Sequence, residues 1–251
     1  MGTSEFLFPA PIRELRKVCD ETGTKILYDA AHVSGLIAGQ TFQNPLTEGA
    51  DVLSMSTNKT LAAPDHGLVA CNDYKIFQKR IERAVVPLFT SNHHAHHVAG
   101  LAITLAEFEQ FGQAYATQVI KNAQVLAKAL YDQGLAVLCP HKNFTQSHTV
   151  LFDAVISGNE AMKMLEQANI ITNPFQLPWN HEKNSTGMRI GTNEVTRLGM
   201  KEKEMKIIAE FMAAVLLKRK KSESIRRDII EFRQSFQNVQ YCFNSVQNYI
   251  H

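Results

Sequence analysis

The sequence predicts an α/β layer followed by a smaller α+β domain, with the boundary near residue 110. Before that boundary, a helical pattern and three strand-like runs alternate with short loops rich in Gly, Pro and Asn. After Gly134, strand-like runs alternate with helical patterns. The predicted domains are therefore 7–109 and 110–251, and residues 1–6, MGTSEF, are interpreted as a cloning scar outside the fold.

The first layer begins with a short amphipathic helix. Ile12, Leu15 and Val18 recur at helical spacing, and Gly23 ends the pattern. Three apolar runs bounded by turn residues then predict three strands. These runs are KILYDAA, ADVLSMST and GLVACN.

A long helical pattern covers most of residues 96–134 and predicts one helix that is bent or broken near Gly112. Beyond it, LAVLCP, HTVLFDAV and TGMRIGT are strand-like, and helical patterns fall at 158–169 and 200–218. The last segment, SIRRDIIEFRQSFQNVQYCFNSVQNYI, predicts an amphipathic helix. Its apolar stripe consists of Ile225, Ile229, Phe232 and Phe236.

Composition argues against several functional classes. The formal net charge is +2, with 26 basic and 24 acidic residues, so no nucleic-acid partner is predicted. The one basic run, LLKRKKSESIRR, is interpreted as a solvated helix junction. No apolar run reaches the roughly 18 residues of a membrane span. The four cysteines lie far apart without a CxxC pair, which indicates reduced cytoplasmic thiols and no zinc site.

One lysine stands in an unusual setting. The stretch VLSMSTNKTLAAPDHGLVA places Lys59 in a hydroxyl-rich turn between two predicted strands. A lysine that forms a Schiff base needs a lowered pKa, which desolvation or a neighbouring positive charge supplies. The hydroxyl groups of Thr57 and Thr60 can hold a phosphate or a ring oxygen without adding charge. From this stretch alone, an ordinary lysine in an exposed loop is an equal alternative.

Two further stretches hold candidate binding groups. Asp29 ends the strand of LYDAAHVSG, where a carboxylate can pair with a protonated pyridine nitrogen, and His32 can contact the same ring. The alternative is an Asp that caps the following turn beside a satisfied core histidine. Arg189, between Gly187 and Gly191 in a short strand pattern, suits a two-pronged grip on a carboxylate. A structural ion pair is the alternative for that arginine.

Three segments in this order resemble one family. YDAAHVSGLIAG, STNKTLAAPDHGLV and STGMRIGTNEVTRLGM are similar to consecutive signature segments of serine hydroxymethyltransferase, a pyridoxal 5'-phosphate (PLP) enzyme of fold type I. The similarity runs in register from about Leu7 to about Val215. The resemblance implies the C-terminal part of a fold type I large domain followed by the small α+β domain.

The resemblance also implies roles for individual residues. Lys59 would be the Schiff-base lysine, Asp29 the partner of the pyridine nitrogen and His32 a cofactor contact. Ala31 would pack on the ring face, and Arg189 would grip the substrate α-carboxylate. The implied reaction makes or breaks the Cα–Cβ bond of a small β-hydroxy amino acid, as in serine–glycine interconversion. The cofactor-binding set is completed by Thr57, Asn58, Asn92 and His93.

The chain departs from the family pattern in three places. The family usually has His before the lysine, where this chain has Asn58, and Arg after a Gly-Pro pair, where it has Asp65. FTSNHHAHHVAG replaces a Gln-Gly-Gly-Pro segment whose amides reach the neighbouring subunit's cofactor phosphate, with Asn92 and His93 at the glycine positions. These departures leave the use of tetrahydrofolate open and resemble the divergent threonine transaldolases, which pass a glycine-derived carbanion to another aldehyde without folate.

The histidines of that segment have alternative roles. His93 and His97 are four residues apart and would share a helix face as metal ligands. No carboxylate or cysteine lies near enough in sequence to complete such a site, so no metal is predicted. His93, His94, His96 and His97 are instead expected to line the cofactor or substrate site, or to serve at the surface or as helix caps.

The resemblance implies that the family's N-terminal half lies outside this sequence. That half supplies the phosphate loop, the aromatic group stacked on the ring and a glutamate for proton handling. A sheet without its first strands exposes an unpaired edge, so we expect the chain to need that half as a separate subunit, alongside the family's homodimer. The alternatives are a truncated product and a non-catalytic partner.

Overall fold

The structure is a computed structural model that describes residues 5–180, 185–219 and 221–243. It divides into two compact units, the first ending at Ala116 and the second beginning at Thr117. The division falls inside one long helix, Ala95–Asp132, which also contains the predicted boundary near residue 110.

Unit 1 is built on a three-stranded sheet of order β1-β2-β3. The strands are β1 (Leu27–Asp29), β2 (Val52–Ser56) and β3 (Gly67–Cys71). β1 and β2 are parallel, and β2 and β3 are antiparallel. All three lie inside the apolar runs that predicted them. Because β1 and β2 run in the same direction, their carboxyl ends meet at one edge of the sheet.

The described residues of unit 1 also form helices. They are α1 (Ile12–Thr22), α2 (Ser34–Ala38), α3 (Pro45–Glu48), α4 (Tyr74–Arg83) and the first part of α5 (Ala95–Asp132), with a π-helical turn at Ala84–Phe89. α1 ends as predicted, because Gly23 adopts a left-handed conformation with φ of 66°. Arg16 of α1 donates to Asp51 Oδ2 over 2.9 Å, and the same oxygen accepts from the Ile26 N–H at 2.8 Å. This carboxylate ties α1 to the sheet.

Gly112 does not break α5, so the predicted break is wrong, whereas the alternative of a bend stays a prediction. The helix is continuous from Ala95 to Asp132. A Cβ at Gly112 would lie 2.7 Å from the Phe108 ring, and a Cβ at Gly39 would lie 2.6 Å from the Gly112 carbonyl oxygen. The missing side chain of Gly39 therefore allows the close approach to α5, and a single glycine costs about 1 kcal/mol, which is too little to interrupt a helix of this length.

Unit 2 contains a four-stranded antiparallel sheet of order β4-β5-β7-β6. The strands are β4 (Ala136–Val137), β5 (Thr149–Asp153), β6 (Asn173–Phe175) and β7 (Gly187–Gly191). The helices are the rest of α5, α6 (Gly158–Gln167), α7 (Asn193–Arg197), α8 (Glu202–Leu216) and α9 (Ser222–Arg233), with a 3-10 turn at Pro140–Lys142. β6 was not predicted, because it is a short edge strand interrupted by Pro174.

One hydrophobic core fills unit 2. Its members lie between Ala123 and Phe236 and include the fully buried Phe152 and Met188 of the central strands. Helix α6 packs against β6 and β7, helices α8 and α9 pack against α6, and all three contribute apolar side chains to the core. The prediction of an α/β layer followed by an α+β domain is confirmed.

The last predicted helix is too long. α9 ends at Arg233, and the chain to Phe243 is irregular; residues 244–251 lie outside the described residues. The Gln240 N–H donates to the Arg197 carbonyl over 2.7 Å, and Arg197 donates to the Tyr241 carbonyl over 2.8 Å. These long-range bonds replace the helical ones, although the apolar periodicity continues.

Two smaller expectations concern the basic run and membrane-spanning helices. The basic run lies between α8 and α9, where the described residues 217–219 and 221 are exposed, so the helix-junction interpretation is confirmed. Within the described ranges of the chain, we find no helix long and apolar enough to cross a bilayer.

Candidate active site

Lys59 and His32 meet at the shared carboxyl end of β1 and β2. Lys59 Nζ lies 3.0 Å from His32 Nε2, although the two residues are 27 positions apart in sequence. His32 lies in the turn after β1, and Lys59 in the turn between β2 and β3. Both turns leave the same edge of the sheet because the two strands are parallel. Both side chains are partly buried, so Lys59 does not lie in an ordinary exposed loop.

A threonine fixes these two turns to each other. The buried Thr60 donates its hydroxyl to the His32 carbonyl over 3.0 Å and accepts from the Gly35 N–H at 2.9 Å. The hydroxyl of Ser34 adds a bond to the Ser56 carbonyl over 2.8 Å. The sequence showed Thr60 as a hydroxyl neighbour of the lysine but could not identify these distant partners.

Gly35 allows this close approach. A Cβ at this position would lie 2.1 Å from the Thr60 carbonyl oxygen and 2.8 Å from the Leu61 nitrogen. Both contacts are with backbone, so no rotation of a neighbouring side chain would relieve them. No local pattern indicated this role of Gly35. The contact depends on how α2 packs against the turn between β2 and β3, residues 57–66, which we call the lysine turn.

Electrostatics favour the neutral form of His32. Burial lowers the pKa of this histidine, the positive charge of Lys59 lowers it further, and Asp29 acts in the opposite direction. A neutral imidazole can accept the hydrogen bond of the Lys59 ammonium through Nε2 and keep its proton on Nδ1. The Glu5 carboxylate lies 3.5 Å from the same nitrogen. Because residues 1–6 are interpreted as a cloning scar, the sequence analysis does not predict Glu5 as a neighbour of His32.

Asp29 stands at the end of β1, as predicted, and its side chain is exposed. Its Oδ1 accepts from the Ala31 N–H at 2.9 Å. This is the turn-capping bond that the sequence left open as an alternative. It engages one of the two carboxylate oxygens, so a second contact to a bound ring is compatible with it. Ala31 is partly buried in the same turn.

Thr57 is the first residue of the lysine turn, and its side chain bonds to the backbone of that turn. It is fully buried, and its hydroxyl lies 2.5 Å from the Pro64 carbonyl and 2.9 Å from that of His66. The hydroxyl hydrogen is therefore used within the loop, and the geometry indicates a structural contribution. Its neighbour Asn58 is exposed.

His93 and His97 do not share a helix face, because α5 begins at Ala95 and His93 lies in the loop before it. Asn92 and His93 are exposed in the loop before α5, where the Asn92 side chain accepts from the His93 N–H at 2.8 Å. The rings of His94, His96 and His97 approach one another instead, with centroids 4.3–5.8 Å apart. Among the described residues, no group of three or more His, Cys, Asp or Glu is placed to hold a metal ion.

Arg189 belongs to unit 2 and lies at the centre of β7, whose bounds are the two predicted glycines. It pairs with Leu151 on β5 and with Asn173 on β6. Its Cζ atom lies 5.8 Å from the ring centroid of Phe175, and partial burial lowers the pKa of the guanidinium. The sequence had not indicated this aromatic neighbour.

Comparison with known proteins identifies the family. A family model described as serine hydroxymethyltransferase matches residues 1–212. The chain belongs to the serine hydroxymethyltransferase family. The serine hydroxymethyltransferase of Methanocella arvoryzae is 48% identical over 248 residues, covering 97% of this chain and 58% of that protein. That of Methanocaldococcus jannaschii is 49% identical over 252 residues, with the same two coverages.

A solved structure with a similar fold is that of L-threonine transaldolase from Pseudomonas fluorescens in the internal aldimine state. It has a TM-score of 0.88 and 31% identity, and the match covers 94% of this chain and 55% of that one. The chain thus spans a little over half the length of the serine hydroxymethyltransferase family members and structural relatives it matches.

The groups at this strand end fit PLP, the cofactor expected for a fold type I enzyme. Lys59 presents an amine, His32 an imidazole 3.0 Å from it, and Asp29 an exposed carboxylate at the end of the neighbouring strand. An amine can hold the cofactor aldehyde, and a carboxylate can hold a proton on its ring nitrogen. The donor set therefore suits a serine hydroxymethyltransferase family member.

Proposed function

We propose that the chain forms part of a PLP-dependent enzyme that makes or breaks the Cα–Cβ bond of small β-hydroxy amino acids, as in serine–glycine interconversion. The observation that carries this proposal is the 3.0 Å contact between Lys59 Nζ and His32 Nε2 at the carboxyl ends of two parallel strands. In open α/β sheets this edge is the usual position of a ligand site. Membership of the serine hydroxymethyltransferase family supports the same reaction class.

Lys59, Asp29 and His32 are the residues proposed to hold the cofactor. When bound, PLP supplies an electron sink for the carbanion left at Cα. Asp29 keeps the ring nitrogen protonated, and Ala31 leaves room beside the ring. His32 accepts a hydrogen bond from the Lys59 amine and so orients it. Thr57 contributes to the site by stabilising the lysine turn, because its hydroxyl is engaged with backbone carbonyls of that turn.

Three exposed residues are proposed as further cofactor contacts. Asn58, Asn92 and His93 present polar side chains in loops. Amide and imidazole N–H groups can replace the backbone amides that commonly bind a phosphate. Arg189 is proposed to bind the substrate α-carboxylate, since a guanidinium offers two parallel N–H donors to two oxygens.

A folate-independent threonine transaldolase or aldolase is the second candidate. It is favoured by the TM-score of 0.88 to the L-threonine transaldolase of Pseudomonas fluorescens. The departures at Asn58 and Asp65 from the usual family pattern point the same way. Tetrahydrofolate is therefore proposed as a second cofactor only for the hydroxymethyltransferase reaction.

Partners are also proposed. The strand β1 lies at an edge of its sheet, and Leu27 is 60% exposed, which suits pairing with a strand from the family's N-terminal half, on this or a separate polypeptide. Exposed Leu88 and Phe89, at 70% and 79%, suit a homodimer contact. The four cysteines are free, which supports a cytoplasmic location. Neither nucleic acid nor membrane is proposed as a partner.

A visible spectrum tests the proposal. The chain is co-expressed with the N-terminal half of a relative, PLP is added, and the absorption band of the lysine-bound cofactor is recorded. We expect the band in the wild type and its loss in Lys59→Ala, because the amine is removed. Lys17→Ala, which removes an exposed lysine of the same unit, is expected to keep it. Absence of the band from the wild type would favour the non-catalytic partner.

The aldehyde that accepts the glycine-derived carbanion is tested in the same assembly of this chain, the N-terminal half and PLP. Glycine is added with tetrahydrofolate and formaldehyde, or with a second aldehyde and no folate, and the β-hydroxy product is measured. Folate-dependent serine formation supports the hydroxymethyltransferase. Product formed equally without folate supports the transaldolase.

A further inference from the structure

An aromatic ring lies beside Arg189, on the neighbouring strand. In the register of β6 and β7, Asn173 stands opposite Arg189 and Phe175 stands opposite Gly187. Phe175 is therefore the diagonal cross-strand neighbour of Arg189, on the same face of the sheet. The Arg189 Cζ atom lies 5.8 Å from the centroid of its ring, which is within the range of a cation–π contact.

Gly187 makes room for this arrangement. It has no side chain, so the backbone of β6 and the Leu177 side chain can pack directly against it. A Cβ there would lie 2.3 Å from the Phe175 carbonyl oxygen and 2.5 Å from Leu177 Cγ. A side chain at this position would push β6 away from β7, and with it the Phe175 ring away from Arg189.

The backbone of Phe175 is held in place from outside the sheet. The Ser185 hydroxyl donates to the Phe175 carbonyl over 2.6 Å. Phe175 and Arg189 are both partly buried, which strengthens a cation–π attraction relative to an exposed pair. A cation–π contact engages the flat face of the guanidinium, whereas a carboxylate ligand binds at its N–H edge.

We propose that Phe175 is a positioning residue for Arg189, holding the guanidinium so that its N–H fork is presented to a carboxylate ligand. The inference deepens the proposed function, because it rests on Arg189 as the carboxylate-binding group. It predicts that the aromatic face of residue 175, rather than its apolar volume, sets the affinity for the carboxylate.

The first experiment observes the ring contact directly in the full chain. The Nε–Hε resonance of Arg189 is assigned from its disappearance in Arg189→Lys and is compared among the wild type, Phe175→Leu and Phe175→Tyr. We expect a ring-current shift in the wild type and in Phe175→Tyr, and its loss in Phe175→Leu. An unchanged resonance in Phe175→Leu would overturn the proposal.

The second experiment measures carboxylate binding. Glycine and methylamine, which lacks the carboxylate, are titrated into the PLP-loaded assembly, and the spectral change gives each Kd. We expect Phe175→Leu to weaken glycine binding by roughly threefold to tenfold and to leave methylamine unchanged. Phe175→Tyr should restore glycine binding to within about twofold, since it keeps the ring. Equal weakening of both ligands indicates general distortion and overturns the proposal.

A control separates this inference from the proposed function. Arg189→Lys should weaken glycine more than Phe175→Leu does, because it removes the fork itself. If the assembly binds no PLP, the proposed function fails, and the Arg189 resonance is titrated with acetate instead. A larger acetate-induced shift in the wild type and Phe175→Tyr than in Phe175→Leu supports the positioning role, and equal shifts overturn it.

Discussion

His32 couples the candidate site to pH. Burial first, and the Lys59 charge second, lower the pKa of this histidine. The unfolded chain, with a pKa of about 6.5, then binds more protons than the folded chain just below that pH. The stability contributed by neutral His32 is therefore fully present above about pH 6.5 and is lost as the pH falls toward the folded pKa.

The individual causes of this shift are separable by substitution. In an NMR titration of the His32 ring, we expect a midpoint below about 6.5 in the wild type. Lys59→Met should raise the midpoint but leave it below that value, because burial is the larger cause. Asp29→Asn should lower it further, since that carboxylate favours the protonated ring.

Lys17→Met serves as the control for the His32 titration, because it removes an exposed lysine charge from the same unit. It is expected to leave the midpoint unchanged. A midpoint that is insensitive to Lys59→Met would contradict the electrostatic coupling between the lysine and the histidine.

At the scale of elements, α2 and the lysine turn are joined by a backbone contact at Gly35. Gly35→Ala should lower stability by at least about 2 kcal/mol, because its Cβ would meet the Thr60 and Leu61 backbone at 2.1–2.8 Å. The change is measured as a shift in the thermal unfolding midpoint. The His32 titration should move as well, because Thr60 also holds the His32 carbonyl.

Gly67→Ala is the matched control for Gly35→Ala. Gly67 begins β3, and its nearest neighbour, the Met55 carbonyl oxygen, would lie at an ordinary 3.8 Å from an added Cβ. We expect a change within about 1 kcal/mol. Equal destabilisation by the two substitutions would show that close approach at Gly35 is not the cause.

The buried polar side chains of unit 2 join elements in a comparable way. Asn122 of α5 donates to the Thr196 hydroxyl over 2.8 Å and to the Met200 carbonyl over 2.9 Å. Thr192 donates to the Val119 carbonyl over 2.8 Å. Because α7 follows directly after β7, these bonds hold the end of the strand that carries Arg189.

At the scale of the whole molecule, the two units differ in self-sufficiency. The core of unit 2 lies entirely between Ala123 and Phe236 and covers one face of a four-stranded sheet. The described part of unit 1 has a three-stranded sheet with β1 at one edge and contributes no residue to that core cluster. Unit 2 also exposes large apolar side chains, among them Val155 and Ile171, but those of unit 1 have no such core behind them. The exposed side chains of unit 1 include Leu27, Leu88, Phe89 and Ile103, at 60–79% exposure.

We therefore expect the fragment 117–243 to fold alone and the fragment 5–116 to associate. The first should show a cooperative thermal transition by circular dichroism and a monomer mass by light scattering. The second should give a larger mass, because it contributes nothing to the core cluster and can bury its β1 edge and exposed apolar side chains by association. A fragment 117–243 without a cooperative transition would contradict the independence of its core.

The sequence by itself determined the positions of several strands and the candidate chemistry. Strand-like runs located β1, β2 and β3, and the bracketing glycines located β7, because period and turn residues act over a few positions. The same local logic put Asp29 at a strand end and Lys59 in a turn. The order of the three signature segments then indicated the serine hydroxymethyltransferase family, which the comparisons confirm.

Only the tertiary structure decided which distant groups meet. The Lys59–His32 contact and the Gly35 approach join residues about 25 positions apart, and the Phe175–Arg189 contact depends on strand register. The continuation of α5 through Gly112 and the end of α9 at Arg233 were likewise set by packing and long-range hydrogen bonds. Sequence periodicity indicates which face of a helix or strand is apolar. Which other element packs against that face depends on contacts between residues far apart in sequence.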